Sequence, residues 1–244
     1  MKFMALLQRE LHAYFFSPMA YLIMAAYLFF TGYSTAFIFD IYNQNRLDLT
    51  MREIFSTMEF FSIFLVPLIS MRLIAEERKS GTLEMLVTAP IDDLTIILAK
   101  FAGSLVFYVV LHIPTLVYLY VMHQHANPEY GSVITGYLGL LLVGALYLSI
   151  GLLVSAVARD QIVASLVTFV ALFVLYTISS YAQSITSTAF GIPWQKVVAY
   201  IGFLTHYESF RKGVLDSRDL VYFSSVTVVF LFLSVRALES RRWR

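Results

Sequence analysis

Six stretches of mostly apolar residues recur along the chain, at about 19–39, 55–75, 97–121, 132–158, 161–182 and 218–237. Each reaches the ~20 residues that a helix needs to cross ~30 Å of hydrocarbon. In a bilayer the backbone has no water to bond to, so each span pairs its own amides and carbonyls as a helix. Six such helices gather into one bundle. The composition agrees: 59% of residues are hydrophobic and 14% are charged, against roughly 25% charged in soluble domains. The 16% aromatic content suits residues that sit at membrane interfaces. The longest candidate loop, 183–217, is too short and too apolar for a soluble domain. The expected fold is an all-α integral membrane protein with six transmembrane helices. A net charge of +1 gives nucleic acid no purchase, and the absence of cysteine removes disulfide and thiolate chemistry.

The segment between spans two and three stands out. The uncharged stretch Phe60 to Met71 runs into Arg72, Glu76, Glu77, Arg78 and Lys79, and Pro90 closes the segment. Asp92 and Asp93 follow, before the chain turns apolar again. This is more charge than a simple connection needs. It reads as a handle gripped from the water, or as a basic anchor that has gained acids. Two adjacent glutamates contribute nothing to orientation, which favours the handle. Leu83, Leu86 and Val87 give one apolar side and Glu84 and Thr88 another, the pattern of a short docking helix. Gly81 permits a tight turn off a membrane helix.

Residues 2–17 form an amphipathic pattern. Phe3, Met4, Leu7, Leu11, Tyr14 and Phe15 lie on one side, with Lys2, Gln8, Arg9 and His12 opposite. The expectation is an interfacial helix, 1–18, carrying Arg9 and Glu10, either a plain anchor or also a contact for a cytosolic partner. It lacks the short apolar core and cleavage site of a secretory leader. With the amino terminus inside, eleven of the 17 Lys and Arg residues lie inside and six outside, so both termini are expected in the cytoplasm.

Within the spans, Pro67 and Pro114 are hinge candidates or packing bends. Glu59 is expected at the outer interface, since a carboxylate at the bilayer centre costs ~2.5–3.5 kcal/mol. Gly151 and Ser155 make a small-xxx-small pair for close helix packing. The hydroxyls of Ser165, Thr168, Tyr176 and Thr177 are expected to bond to helix carbonyls, with a role toward substrate as the minor alternative. The segment 183–217 breaks at Gly191 to Trp194. Val197, Val198, Ile201 and Leu204 then have the spacing of a short surface or re-entrant helix, a gate or a cap for the outer mouth.

Catalytic motifs are missing. Gly131 and Gly136 have the spacing of a phosphate loop, but Tyr137 stands where lysine is required. Neither G-x-S-x-G nor H-E-x-x-H occurs. His112, His123 and His125 lack the convergent supporting shell of a metal site and are read as incidental. His206 stands alone.

Against this background, PLISMRLIAEERKSGTLEMLVTAPI, residues 67–91, resembles the signature of bacterial ABC-2 type transporter permeases. HYESFRKGVLDSRDLVYF, 206–223, is similar to the carboxy-terminal pattern of that family, and RDQIVA, 159–164, also fits. The resemblance spans essentially the whole chain. It is closest to the compact permeases grouped with gliding-motility and nitrous-oxide-reductase-maturation transporters. It implies a type V exporter-like bundle, 19–244, in the bacterial inner membrane. It also implies a partner: a separate cytosolic ATPase that binds ATP and Mg. A second permease copy or paralogue completes the core, with room for an accessory extracytoplasmic subunit. On this resemblance the chain itself is expected to bind no cofactor and to be no enzyme, with the ATPase activity in the partner. Coupling falls on segment 76–93, with Arg72, Glu76, Glu77, Arg78, Gly81, Thr82, Leu83 and Glu84 as its residues. Closure of the ATPases then pulls the coupling segments and tilts spans two and five. The rival functions are a membrane scaffold for a surface machine and a membrane-embedded enzyme. Few charges lie within the spans, which favours an amphipathic or polymeric cargo over a small ion.

Overall fold

The computed structural model describes residues 2–45, 51–82, 91–125, 129–181 and 202–240. Among these, every regular element is helical. The elements run α1 (Lys2–Phe15), α2 (Pro18–Asn45), α3 (Met51–Ser70), α4 (Ala75–Lys79), α5 (Asp93–His112), a 3₁₀ turn (Ile113–Thr115), α6 (Leu116–His125), α7 (Tyr130–Val157), α8 (Gln161–Tyr181), α9 (Phe203–Arg211) and α10 (Ser217–Glu239). Six helical segments are long and apolar enough to cross a membrane: Pro18–Tyr42, Met51–Lys79, Asp93–Gln124, Tyr130–Val157, Gln161–Tyr181 and Ser217–Glu239. They match the six expected spans.

α7 is the centre. It packs against α10, α3, α9, α8 and α5. Its glycines make this possible. A Cβ at Gly136 would enter the Phe55 ring of α3, and one at Gly144 would enter the Tyr108 ring of α5. Each missing methyl is therefore a seat for an aromatic ring from a neighbour. Tyr108, Phe55 and Tyr147 are fully buried there. By contrast, α8 and α10 leave long apolar rows exposed, among them Leu166, Val170 and Phe173 on α8 and Val221, Val228 and Phe232 on α10. That is the expected face toward lipid.

The hydroxyls behave as their chemistry dictates. Thr168 Oγ1 donates to Ala164 O at 2.7 Å, Thr177 Oγ1 to Phe173 O at 2.8 Å, and Ser165 Oγ to Ile162 O at 3.0 Å. Each satisfies itself on its own helix. The two prolines differ. Pro114 breaks its span into two α segments joined by the 3₁₀ turn, as the loss of a backbone donor requires. Pro67 lies buried inside α3, one turn before its end.

Three expectations need correcting. Glu59 does not extend to an interface. It is 2% exposed, and its Oε1 accepts a hydrogen bond from the Tyr147 hydroxyl at 2.6 Å. A short acid in mid-helix cannot snorkel, so it takes a donor from the next helix instead. His206 does not stand alone: its Nδ1 lies 2.6 Å from Asp219 Oδ1, and its ring stacks on Tyr222. These two residues are 13 positions apart and meet only because α9 folds back on α10. Nor are the spans nearly free of enclosed charge, since Glu59, Asp93, Lys100 and Asp219 are all buried. The short helix expected around 197–204 falls mostly outside the described residues, and α9 begins near its end.

Gly144→Ala is expected to destabilise the protein by about 1–3 kcal/mol, because the Tyr108 ring has no room to retreat. Gly131→Ala, at the open end of the same helix with nothing within 4 Å, is expected to be neutral or slightly stabilising. Thermal unfolding in detergent, read by fluorescence-detected size exclusion, distinguishes the two.

Candidate functional site at the charged elbow

The elbow begins where α3 ends. Met71 N donates to Pro67 O at 3.0 Å and Leu73 N to Ser70 O at 3.1 Å, tightening the chain into a turn. Arg72 then faces back. Its Nε donates to Glu76 Oε2 at 2.8 Å and its Nη1 to Ser17 Oγ at 2.8 Å, tying the elbow to the corner between α1 and α2.

The first amides of α4 lack partners within the helix, as at any helix start. Ser155 of α7 supplies one. Its Oγ accepts from Ile74 N at 3.0 Å and from Ala75 N at 3.1 Å. Beside it, Gly151 leaves the space that Ser70 fills. The small-xxx-small pair is thus a packing site and a cap together. Arg78 completes the contact. Its Nη2 donates to Ala156 O at 2.7 Å, and its Nη1 to Val157 O at 3.3 Å and to Ala158 O. A guanidinium on the last carbonyls of a helix also meets the negative end of its dipole.

On the other side, Glu77 enters a ring of four charges. Arg9 Nη2 lies 2.6 Å from Glu77 Oε1 and 2.9 Å from Glu10 Oε1. Lys100 Nζ lies 2.9 Å from Glu77 Oε1 and 3.1 Å from Glu10 Oε1. Two acids and two bases therefore join α1, α4 and α5. The Lys100 side chain is 3% exposed, whereas that of Arg9 is 49% exposed. An enclosed ammonium is tolerable only when paired, which explains why both acids converge on it. Burial works against the charge of Arg9, but its hydrogen bond to Glu10 and the negative charges of Glu77 and Glu10 outweigh this and raise its pKa. Tyr14, one turn further along α1, is buried and donates to Ile69 O at 3.1 Å. Burial, then the charge of Glu10, pushes its phenol up.

The front of the elbow is different. Lys79, Ser80, Gly81 and Thr82 are exposed, and Glu76 is partly so. Gly81 has φ +73°, a left-handed backbone that favours glycine. Ser80 Oγ and Thr82 Oγ1 share a hydrogen bond of 2.8 Å across it. Leu83 and Glu84 lie outside the described residues, as do Leu86, Val87 and Thr88. The structure thus separates the residues singled out from sequence. Arg72, Glu77 and Arg78 turn inward and brace the elbow, while Glu76, Gly81 and Thr82 remain on its surface.

Lys100 and Ser155 were missed as elbow residues. A single lysine two turns into an otherwise apolar helix was a usable signal for the first. Ser155 carried none beyond its small size. On α1, Leu6, Glu10 and Tyr14 are buried against the protein, Leu7, Leu11 and Phe15 are half-buried, and Phe3 and Met4 are exposed. Of the three histidines, His112 is enclosed between Tyr27 OH at 2.9 Å and Tyr108 O at 2.7 Å. His123 is exposed, and the side chain of His125 lies outside the described residues.

Lys100→Met is expected to cost about 3 kcal/mol, because it leaves two enclosed carboxylates facing one half-exposed arginine. Adding Glu10→Met should recover part of that loss, since the unpaired acid goes with it. Thermal melts of the single and double variants test both.

Residues 8–242 match the family model described as ABC-2 family transporter protein. A comparison with curated proteins found no match. The match takes in all six apolar helices, the elbow and most of α1. The chain is a multi-pass membrane subunit of a transporter and belongs to the ABC-2 transporter family.

Proposed function

We propose that this chain is the permease of an ATP-driven exporter, and that a separate cytosolic ATPase acts on it through the elbow. The observation that carries this is the elbow's division into a braced back and a front that is exposed among the described residues. Its rear side chains are committed to α1, α5 and α7, and its front offers a cation, two hydroxyls and a bent backbone to the water. A loop built only to connect two spans needs no such bracing. The chain carries no phosphate loop of its own, so nucleotide chemistry belongs to the partner. The excess of Lys and Arg on the elbow side supports a cytoplasmic position for that side and for both termini, and the family resemblance supports the inner membrane as the bilayer. A second permease copy or a paralogue completes the complex, as the family resemblance implies. ATP shifts the assembly between two states only by binding one of them better, so closure of the ATPase must be coupled to movement of the elbow.

Two measurements test this. A phosphate-loop ATPase encoded beside this chain is expected to copurify with it. Lys79→Glu and Thr82→Arg should weaken that complex about tenfold each while leaving thermal stability unchanged; full-strength binding by both variants rules out the elbow as the docking site. The absence of native cysteine also permits single-cysteine labelling. An impermeant thiol reagent applied to whole cells should modify a cysteine at position 212 and spare one at position 79. The opposite pattern inverts the topology and removes the ATPase contact.

A further inference from the structure

Adjacent residues on α4 make opposite commitments. Glu77 reaches α1 and α5, and Arg78 reaches α7. The two contacts differ in kind. The joint to α7 uses backbone groups: Ser155 Oγ holds two amides of the elbow, and Arg78 holds the last two carbonyls of α7 and that of Ala158 just after it. Ile74, Ala75 and Ser155 are fully buried, so water does not compete there. The joint to α1 and α5 is made by side-chain charges alone. Its two acceptor atoms, Glu10 Oε1 and Glu77 Oε1, each serve both cations. Glu77 Oε2 is enclosed with no hydrogen-bond partner among the described residues. Arg9 is half-exposed, and a small cleft lined by Glu10, Tyr14, Arg72 and Glu76 opens between α1 and the elbow.

We propose that the elbow is a strut with two unlike joints: the joint to α7 stays closed through the transport cycle, and the charge ring to α1 and α5 is the one that opens and re-forms. Arg78 and Ser155 are then positioning residues that deliver elbow movement to α7, the helix on which the bundle is packed. This rests on the ATPase acting at the elbow. The ring suits release because Arg9 is half-exposed, so water reaches that rim and can replace its bonds to the two acids, while the enclosed Lys100 keeps Glu10 as its counter-charge when Glu77 leaves. Span four thereby enters the force path.

Hydrogen exchange on the full-length permease in lipid nanodiscs tests whether the joints are separable. Glu77→Gln should speed exchange of the α1 amides about tenfold, the loss of a charge-assisted hydrogen bond, and leave Ile74, Ala75 and the last turn of α7 unchanged. Ser155→Ala should speed the Ile74 and Ala75 amides by a similar factor and leave α1 unchanged. Arg78→Gln should do the same for the last turn of α7, and Arg78→Lys should restore part of the protection. Should Glu77→Gln not fold, Arg9→Gln at the exposed rim gives the same readout. If either class of variant loosens both sides, the elbow is one rigid block and the proposal fails. In the complex with the ATPase and a non-hydrolysable ATP analogue, α1 should exchange faster while Ile74 and Ala75 stay protected; the reverse order overturns the proposal. The measurements on the permease alone need no partner. A complex that fails to assemble therefore counts against the proposed function, and the two joints are still tested.

Discussion

Lys100 is an ammonium enclosed near the start of a membrane helix, and its need for counter-charge organises the surface around it. An ion taken out of water loses several kcal/mol of solvation unless partners replace it. Two carboxylates meet that need, and each comes from a different element. Glu10 requires α1 to lie along α5, and Gly103 allows it to, since a Cβ there would press on the Cβ of Glu10 at 2.9 Å. Glu77 requires the elbow to fold back over both. Arg9 then balances the second negative charge. The amphipathic helix, the elbow and span three are thus held in register by one group, and the exposed front of the elbow faces outward because its back is occupied.

The bundle follows the same rule in milder form. Polar groups inside it are matched locally, before any tertiary contact is asked of them. Ser62 Oγ donates to Met58 O at 2.8 Å and also lies 3.0 Å from Tyr108 OH. Thr135 Oγ1 lies 2.9 Å from Gly131 O and 2.7 Å from Phe210 O, so its one hydrogen can serve either carbonyl, the second joining α7 to α9. A carboxylate needs a donor instead, and a neighbouring helix provides it, as Tyr147 does for Glu59. On the side away from the elbow, Arg52, Arg211 and Lys212 gather around Glu208. Two of these cations lie at the carboxyl end of α9, where the helix dipole favours positive charge.

Much of this was legible in the sequence because lipid simplifies the code. Apolar length alone gave six spans, and the cluster from Arg72 to Lys79 marked the elbow. The pair Gly151 and Ser155 on α7 marked a close-packed face. What sequence could not supply was pairing. Glu77 and Lys100 lie 23 positions apart and Glu10 and Lys100 lie 90 apart, so no local pattern joins them. The same is true of His206 with Asp219 and Glu59 with Tyr147. An isolated charge in an apolar segment looks like a cost to be moved to the surface; only the fold shows that a partner has been brought to it. Pairing also decides what α1 buries against the protein. Its buried stripe carries Glu10 between Leu6 and Tyr14, and a hydrophobicity count places an acid on the wrong side.

The opposed directions of Glu77 and Arg78 set the permitted length of the elbow. Successive residues on a helix point about 100° apart. Inserting or deleting one residue between Ser70 and Glu77 would swing Glu77 out of the charge ring and bring another side chain to the carbonyls of α7. Both joints would then be lost, although every charge would remain in the chain. In this segment reading frame matters as much as composition. Substitutions can be absorbed one at a time, but a change in residue count cannot.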